Sequence, residues 1–475
     1  MRRVTAAGAV LVATVLLAGC GGSDGKDHAD SKGGGADKAP ASKPLAKLNV
    51  PAAYDASKGW DDTLNWMPES VSSIPVAPVA DNRAVAMMYA ASGGYTLKVR
   101  DAADGTVRWT STAWNPPVPV EGADGDPDMG EAAEIPDVVS LQQGGRTYVV
   151  AYAHGMRGKD DLHKGTEVVR VAIYAADATG SSVTPQRQID VPVTTGLGEQ
   201  LHTSADGGRL LIGWGKQGEL PASAAAVDVA TGKVSRYSDA NSLLPQCAKE
   251  VGCYDSRVAG ATSDSVVVAM DGGGFGVPGR WFSNAVRPGA VAARTGFLGA
   301  YNGDLYGMAG SSLVAGWSTN TTDGSDRPAV WTVHDVETGK VQAQVTCAAD
   351  LPGGSSKARD YPVVTSPNGR YVAAGSVAFD VQRKKGICLQ GDGNRKTIVL
   401  GSIRNDGIAY GAVVEDDAAT SDSDPVVAQV DLNTGQPQVL GTGVEAPYTT
   451  DLKGSGLFLD RDDDHNVRIS LRRQR

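Results

Sequence analysis

A turn of the form Asp-x-x-Thr-Gly recurs along the sequence, preceded by an apolar strand and followed by a short one. Clear copies begin at Asp228, Asp335 and Asp431. An internal repeat of this kind marks a supersecondary unit that is used many times, and it therefore constrains the architecture more strongly than any single residue does. It leaves open what the protein binds.

Each copy predicts two antiparallel strands joined by a tight hairpin. Residues 226–230 alternate between the two faces of a strand, with the period of two that strands require. The aspartate can accept hydrogen bonds from the amides of the turn. The glycine tolerates the positive φ that a tight reversal often needs.

Weaker copies of the turn fill the gaps between the clear ones. They lie at 99–109, 173–180, 291–296 and 379–386, so that about seven turns recur at spacings within or beyond those of propeller blades. A second strand–turn–strand element precedes several of them, for example at 203–211, and helical periodicity is nearly absent. Four short strands per repeat predict an all-β fold, a single β-propeller with four antiparallel strands in each blade.

The turn, in its form Asp-x-x-Thr-Gly-Lys, resembles the repeat of the PQQ-like (quinoprotein-like) and WD40-like β-propeller families. The resemblance extends over most of the chain from about Val76 onward. It implies a propeller and leaves the activity open, because propellers host many unrelated functions. No blade ends in the Trp-Asp pair of WD40 repeats at the expected place.

The cofactor of the PQQ-dependent alcohol dehydrogenases is not implied. Those enzymes carry a vicinal cysteine pair and an aspartate base beside calcium, and we find neither in this sequence. Their tryptophan docking motif is not visible either. Five tryptophans are scattered without a regular register: Trp109, Trp214, Trp281, Trp317 and Trp331. The resemblance therefore implies the fold alone, and we expect no PQQ and no other cofactor.

Three strand-like pieces follow the last clear turn, at 448–452, 457–460 and 467–471. They predict the inner three strands of one more blade, whose outer strand comes from the N-terminal side, within 60–67. Sharing a blade between the two termini removes an open sheet edge. Eight blades of about 50 residues fit the length from Glu69 onward. Seven blades, with the tail packed outside the ring, are the alternative.

The first residues of the chain predict an exported lipoprotein. Arg2 and Arg3 precede an apolar run at 4–16, which is too short to span a bilayer as a helix. The sequence Leu17-Ala18-Gly19-Cys20 matches the lipobox of bacterial lipoproteins. This resemblance implies cleavage before Cys20 and attachment of a lipid to it. The alternative is an ordinary secretory signal with an incidental cysteine.

These signals divide the chain into a signal peptide at 1–19, a tether at 20–50 and a propeller domain at 51–475. Residues 21–44 lack apolar periodicity and are rich in small and charged residues, which is typical of a flexible linker. We expect the protein on the extracytoplasmic face of the cell membrane, with the membrane as its partner through the lipid on Cys20.

Four further cysteines are present: Cys247, Cys253, Cys347 and Cys388. An even number in an exported protein predicts disulfides, of which three pairings are possible. In one pairing a bridge between Cys247 and Cys253 staples a short loop, and a bridge between Cys347 and Cys388 joins the same edge of neighbouring blades. A metal site is the rival interpretation, without a Cys-x-x-Cys or a nearby His pair to support it.

Alternating carboxylates at Asp124, Asp126 and Asp128 form a candidate calcium loop, because calcium prefers six to eight oxygen ligands. A second acidic run lies at 460–464. Both depart from the EF-hand pattern, and a solvated acidic loop is the alternative for each.

Few residues indicate catalysis. His154 and His163 flank a hairpin tip, where a metal pair competes with simple loop exposure, and we expect His334 to be structural. No serine lies in a context that suggests an acyl-enzyme. The net charge of −10, without a basic patch, argues against a nucleic-acid partner.

We therefore predict a lipid-anchored extracytoplasmic β-propeller that acts as a binding or scaffold module for an unknown protein or small-molecule ligand. The long loop at 114–136 is the candidate for partner contact. The alternative is an extracytoplasmic hydrolase or lyase with acidic and His side chains at the mouth of the central channel. A sugar- or peptide-binding sensor differs from the first prediction only in the size of its ligand.

Overall fold

The computed structural model describes residues 45–68, 71, 73–120, 135–195, 199–216, 220–244, 256–270, 273–291, 303–317, 330–347, 362–392, 394–414, 426–462 and 465–475. Its helical content is one α-helix of four residues, α1 (Ser283–Val286), and one 3-10 turn at Ala240–Leu243. No helix within these ranges has the length and apolar character that crossing a bilayer requires.

The described residues form 32 strands. In chain order they are β1 Tyr54–Leu64, β2 Val76–Pro78, β3 Ala84–Ala91, β4 Gly94–Asp101, β5 Val107–Ser111, β6 Asp137–Gln143, β7 Arg146–Arg157, β8 Thr166–Ala175, β9 Gly180–Val183, β10 Arg187–Pro192, β11 Glu199–Asp206, β12 Arg209–Lys216, β13 Ser223–Asp228, β14 Val234–Tyr237, β15 Ser256–Ala261, β16 Val266–Met270, β17 Phe275–Val277, β18 Trp281–Phe282, β19 Gly303–Ala309, β20 Ser312–Trp317, β21 Val330–Asp335, β22 Val341–Thr346, β23 Val364–Thr365, β24 Tyr371–Ala374, β25 Val377–Asp380, β26 Lys385–Cys388, β27 Thr397–Ile403, β28 Ile408–Val414, β29 Val426–Asp431, β30 Gln436–Gly441, β31 Ser455–Arg461 and β32 Val467–Gln474.

These strands form eight sheets that follow one another along the chain as the blades of a propeller. Blades 1 to 7 have the strand orders β2-β3-β4-β5, β6-β7-β8-β10, β11-β12-β13-β14, β15-β16-β17-β18, β19-β20-β21-β22, β23-β24-β25-β26 and β27-β28-β29-β30. Neighbouring strands within each blade are antiparallel. The additional strand β9 runs parallel to β5 at the outer edge of blade 1. The predicted eight-bladed, all-β propeller is confirmed.

The core lies between the blades, because each sheet buries both of its faces against its neighbours. Strand β16 shows this directly, since all five of its residues are buried. One cluster, for example, combines Val314 and Trp331 of blade 5 with Val372 and Phe379 of blade 6. Strands that are buried on both faces are apolar throughout, which is why several strands of this chain lack a polar alternation.

The repeated turn has the hydrogen bonds that its residue types predict. In blade 3 the amide and the hydroxyl of Thr231 both donate to Asp228 Oδ1, at 2.7 Å each. The amide of Gly232 donates to the main-chain carbonyl of Asp228 at 2.7 Å, and its φ of 77° is one that glycine adopts readily. The same side-chain bonds recur between Thr338 and Asp335, at 2.8 and 2.6 Å.

Three tryptophans occupy equivalent positions on the outer strands of their blades, a register that the sequence analysis missed. They are Trp60, Trp109 and Trp281, and each indole N–H donates to a main-chain carbonyl in the next blade. The acceptors are Ala102 at 3.2 Å, Ala176 at 3.1 Å and Val336 at 3.0 Å, each the first residue after the third strand of its blade. The expectation that the tryptophans follow no regular pattern is therefore wrong for Trp109 and Trp281, which occupy equivalent positions in their blades. The sequence hides this equivalence because the connections between strands differ in length.

The ring closes as predicted, because blade 8 combines β1, the first strand of the described chain, with β31 and β32, the last two. Strand β1 pairs with β32 along its length, β32 pairs with β31, and Thr449 bridges to Leu457 as the innermost element. The outer strand begins and ends earlier than expected, at Tyr54–Leu64 in place of 60–67.

A segment before β1 also belongs to this seam. The compact unit begins at Leu45, ahead of the boundary at residue 51 drawn from the sequence. The fully buried Arg472 donates to Asp61 Oδ1 at 2.7 Å and to the carbonyl of Ala46 at 3.1 Å. The amide of Ala46 in turn donates to Asp61 Oδ2 at 2.6 Å. A buried guanidinium needs such partners, because an unpaired charge in the interior is strongly destabilising.

A disulfide joins Cys347, which directly follows β22, to Cys388 at the end of β26. It links neighbouring blades 5 and 6, and it is one of the bridges that the sequence predicts. Cys20, Cys247 and Cys253 lie outside the described residues.

We predict that Gly339→Ala destabilises the protein more than Gly144→Ala. Both glycines have positive φ, 70° and 57°, so alanine at either site carries a left-handed penalty of about 1 kcal/mol. At Gly339 a Cβ would also lie 2.6 Å from the Trp281 ring, whereas at Gly144 it meets nothing within 4 Å. Overpacking adds about 1–3 kcal/mol. Urea unfolding of both variants measures the difference, and equal losses would contradict the packing of Gly339 on Trp281.

Candidate functional site

A cavity of about 990 Å³ lies on the inner strands of blades 6, 7 and 8. Strands β23 and β27 and the chain at 443–450 form most of its wall, and it reaches Pro78 in blade 1 and Ala309 in blade 5. It therefore occupies the axis of the propeller, where the innermost strands face one another. A branch extends between blades 7 and 8, to Tyr410 and Glu445.

Most of the wall is apolar, with side chains such as Val364, Leu400 and Pro447. Two buried hydroxyls on the wall are already used as donors. Ser402 Oγ donates to the carbonyl of Pro447 at 2.7 Å, and Thr450 Oγ1 donates to that of Ile403 at 2.6 Å. These bonds tie blade 7 to blade 8 and leave those hydroxyl protons engaged within the wall.

Two carboxylates, Glu445 and Asp460, also line the cavity. Glu445 is placed by its main chain, because its amide donates to the carbonyl of Asn49 at 2.8 Å. Asp460 lies on β31 directly opposite Arg468 of β32, and Arg468 Nη2 is 2.5 Å from Asp460 Oδ2. The same nitrogen is 3.6 Å from Glu445 Oε1, so Arg468 is bound mainly by Asp460.

The carboxyl group of Glu445 has few hydrogen-bond donors among the described residues to offset its burial, and its ion-pair contact with Arg468 is long, at 3.6 Å. Its Oε2 is buried and accepts no hydrogen bond among the described residues. Burial, and secondly the negative charge of Asp460, raise the pKa of Glu445 to about 7. Arg472, whose charge also acts on Glu445, forms an ion pair with Asp61 at 2.7 Å.

A second perturbed carboxyl belongs to Asp137, at the start of β6. Burial raises its pKa, although Ser73 Oγ donates to it at 2.6 Å. The pKa of Tyr448, which lines the axial cavity and is 54% exposed, is raised by partial desolvation and secondly by the negative charge of Asp137. Asp137 therefore lies in the electrostatic surroundings of the cavity.

The calcium candidates at Asp124, Asp126 and Asp128 lie outside the described residues. In the second acidic run, Asp460 binds Arg468, and Asp462 accepts from the amide of Asn466 at 2.9 Å. Within the described parts of the chain, no three His, Cys, Asp or Glu side chains are grouped so as to hold a metal ion.

The histidines have separate partners. His154 Nε2 is 2.8 Å from Glu167, and His163 Nδ1 is 2.8 Å from Asp160. His334 is structural, as expected: it is fully buried, and its ring nitrogens bond to Thr332 and to the carbonyl of Gly339. Burial lowers the pKa of His334 to about 4.

Sequence reasoning missed Glu445 altogether. It lies in the connection between β30 and the innermost element of blade 8, with no motif around it. The run at 460–464 was singled out for its charge, but the sequence holds no signal that its first member faces the propeller axis.

We predict that Glu445→Gln stabilises the protein at pH 8 and not at pH 4. A carboxyl whose pKa rises on folding, here from 4.5 to about 7, stabilises the fold only while it is protonated. That stability is complete below about pH 4.5 and is lost as the pH rises through 7, whereas glutamine is insensitive to pH. Because the side chain is 27% exposed, solvent limits the gain at pH 8 to about 1–2 kcal/mol.

Thermal unfolding of both proteins between pH 4 and 8 measures this effect. Asp161→Asn, on an exposed loop, is the control and leaves the pH profile unchanged. An equal melting-temperature difference at every pH would contradict the perturbed carboxyl.

No protein-family model and no curated protein matches the chain. Solved structures resemble it over most of its length. The Dos1 propeller is 12% identical, with 87% of this chain and 95% of that chain covered and a TM-score of 0.40. An uncharacterized protein of Listeria monocytogenes is 7% identical, with 79% of this chain and 85% of that chain covered and a TM-score of 0.35. The polysaccharide lyase Uly1 is 12% identical, with 82% of this chain and 88% of that chain covered and a TM-score of 0.34. Likeness at this level carries no argument about function.

Proposed function

We propose that this protein is a lipid-anchored extracytoplasmic binding module that takes a small, largely apolar ligand in its axial cavity. The cavity carries the proposal. Its volume of about 990 Å³ lies at the upper end of the range of small-molecule sites, and its wall combines apolar side chains with a few polar groups.

The proposed extracytoplasmic location is supported by the N-terminal sequence and by one disulfide. The lipobox that ends in Cys20 supports export and lipid attachment. The Cys347–Cys388 disulfide supports the same compartment, because disulfides persist in oxidising surroundings and are rare in the cytosol. The scaffold role, in which the propeller presents its loops to a protein, stays part of the proposal through the loop at 114–136.

The enzyme alternative draws on one observation. Glu445 and Asp460 both line the cavity, and the pKa of Glu445 is about 7, a value suited to a general acid or base at neutral pH. The two roles differ in what becomes of the ligand. A binding module returns it unchanged, and a hydrolase or lyase returns a product, so mass spectrometry of the recovered ligand decides between them.

We predict that Gly401→Trp closes the cavity to ligands. Gly401 lines the cavity at a bulge of β27, and a Cβ there meets nothing within 4 Å, so the indole enters open space. The neutral probe N-phenyl-1-naphthylamine, which fluoresces in apolar surroundings, should lose affinity by about tenfold or more, or about 1.4 kcal/mol. Gly289→Trp, also in open space and away from the cavity, is the control. Equal binding by both variants would remove the cavity from the proposal.

We predict that Cys20→Ser moves the full chain from the membrane fraction to the soluble extracytoplasmic fraction. Without the acyl chains no apolar segment of the mature chain is left to hold it on the bilayer. Fractionation and phase separation in detergent measure the change. Mass spectrometry of the variant checks that residues 1–19 have been removed, because the apolar run at 4–16 could otherwise hold it on the bilayer. If Cys20→Ser without residues 1–19 stays with the membrane as the unaltered chain does, the lipid anchor is ruled out.

A further inference from the structure

The axial cavity has a one-sided electrostatic character. Two of its wall residues, Glu445 and Asp460, are carboxylates, and none of the wall residues is Lys, Arg or His within the described part of the chain. Arg468, which is not a wall residue, pairs with Asp460 at 2.5 Å and lies 3.6 Å from Glu445. A ligand in the cavity therefore meets two carboxylates, of which Asp460 is the one neutralised by a close cation.

We propose, on the basis of the function proposed above, that the cavity selects amphiphilic amines: ligands with an apolar body and a primary ammonium group, which lies beside the carboxyl group of Glu445.

Charge complementarity favours an ammonium over other polar groups. Arg468 can satisfy one of the two neighbouring carboxylates, and Arg472 is already bound to Asp61. One negative charge in the seam is thus left over when Glu445 is ionised. An opposite charge within about 4–6 Å of a carboxyl stabilises its ionised form, and an ammonium in the cavity branch supplies that charge.

Other ligand classes fit less well. An anion would lie against two carboxylates in surroundings of low polarity, where repulsion is strong. A neutral apolar ligand would displace solvent from the carboxyl of Glu445 and offer no hydrogen bond in return, and among the described residues nothing donates to Glu445 Oε2 either. The hydroxyls of Ser402 and Thr450 donate to main-chain carbonyls, so they are engaged within the wall and not held ready for an anionic ligand.

The remaining wall residues determine the polarity of the rest of the ligand, apart from its ammonium group. Apart from Glu445 and Asp460, the wall is mainly apolar or uncharged and includes Val363, Val364 and Leu400. Because the polar contacts are confined to one end, the ligand has a charged group at one end and an apolar chain or ring system at the other.

The test uses three probes that share one apolar body: octylammonium, octanol and octanoate. Calorimetry with the lipid-free chain Cys20→Ser should show octylammonium binding about tenfold or more tightly than octanol at pH 8, as a charge-assisted contact implies. Octanoate should bind weakest. Glu445→Gln should weaken the binding of octylammonium without weakening that of octanol and so remove the preference, whereas the control Asp161→Asn should change neither affinity.

The pH dependence provides a second readout. At pH 6 Glu445 is mostly protonated, whereas an alkylammonium with a pKa of about 10 keeps its charge. The affinity of the unaltered chain for octylammonium should therefore fall between pH 8 and pH 6. The affinity of Glu445→Gln should not.

The outcomes separate the two proposals. If none of the probes binds, or if Gly401→Trp binds all of them as well as the unaltered chain does, the cavity is not a ligand site and both proposals fail. If octanol binds as tightly as octylammonium and Glu445→Gln changes nothing, the cavity remains a ligand site and the selection of amines is overturned.

Discussion

The antiparallel pairing of β1 with β32 is the interaction on which the ring depends. It joins residues from the two ends of the chain and removes the open sheet edges that the first and last blades would otherwise expose. The same pairing brings Asp61 to Arg472. Since the buried guanidinium needs a counter-charge, the N-terminal strand supplies both the missing hydrogen bonds of the edge and the neutralising carboxylate.

The two faces of β32 consequently differ in polarity. Toward blade 1, Ile469 and Leu471 of β32 pack in an apolar cluster, whereas its opposite face carries Arg468 and Arg472. On this face of β32, Arg472 pairs with Asp61 of β1, and Arg468 pairs with Asp460, which belongs to the wall of the axial cavity. Asn49 connects the two features, because its carbonyl accepts from the amide of Glu445. The chain that closes the ring therefore also positions a residue of the cavity wall.

Local chemistry accounts for the features that could be predicted from the sequence. The contact between Asp228 and Thr231 spans three residues, so its hydrogen bonds and the left-handed Gly232 follow from residue types alone. The strand pieces after 448 indicated a shared last blade because the alternation of apolar residues continued beyond the last turn. The docking of Trp109 and Trp281 was missed, since it depends on positions in adjacent sheets that unequal connections separate in the chain.

The sequence by itself determined the turn, the all-β propeller class and the pattern that predicts export, because each rests on residues close together in the chain. The pairing of β1 with β32 decided for eight blades over seven. The tertiary structure decided which charges meet. Arg472 and Asp61 are 411 residues apart, and only ring closure brings them within 2.7 Å. The carboxyl of Glu445 likewise acquires its character from burial and from Asp460. Electrostatic free energies depend on distance and on solvent exposure, and both come into being only when the blades pack together.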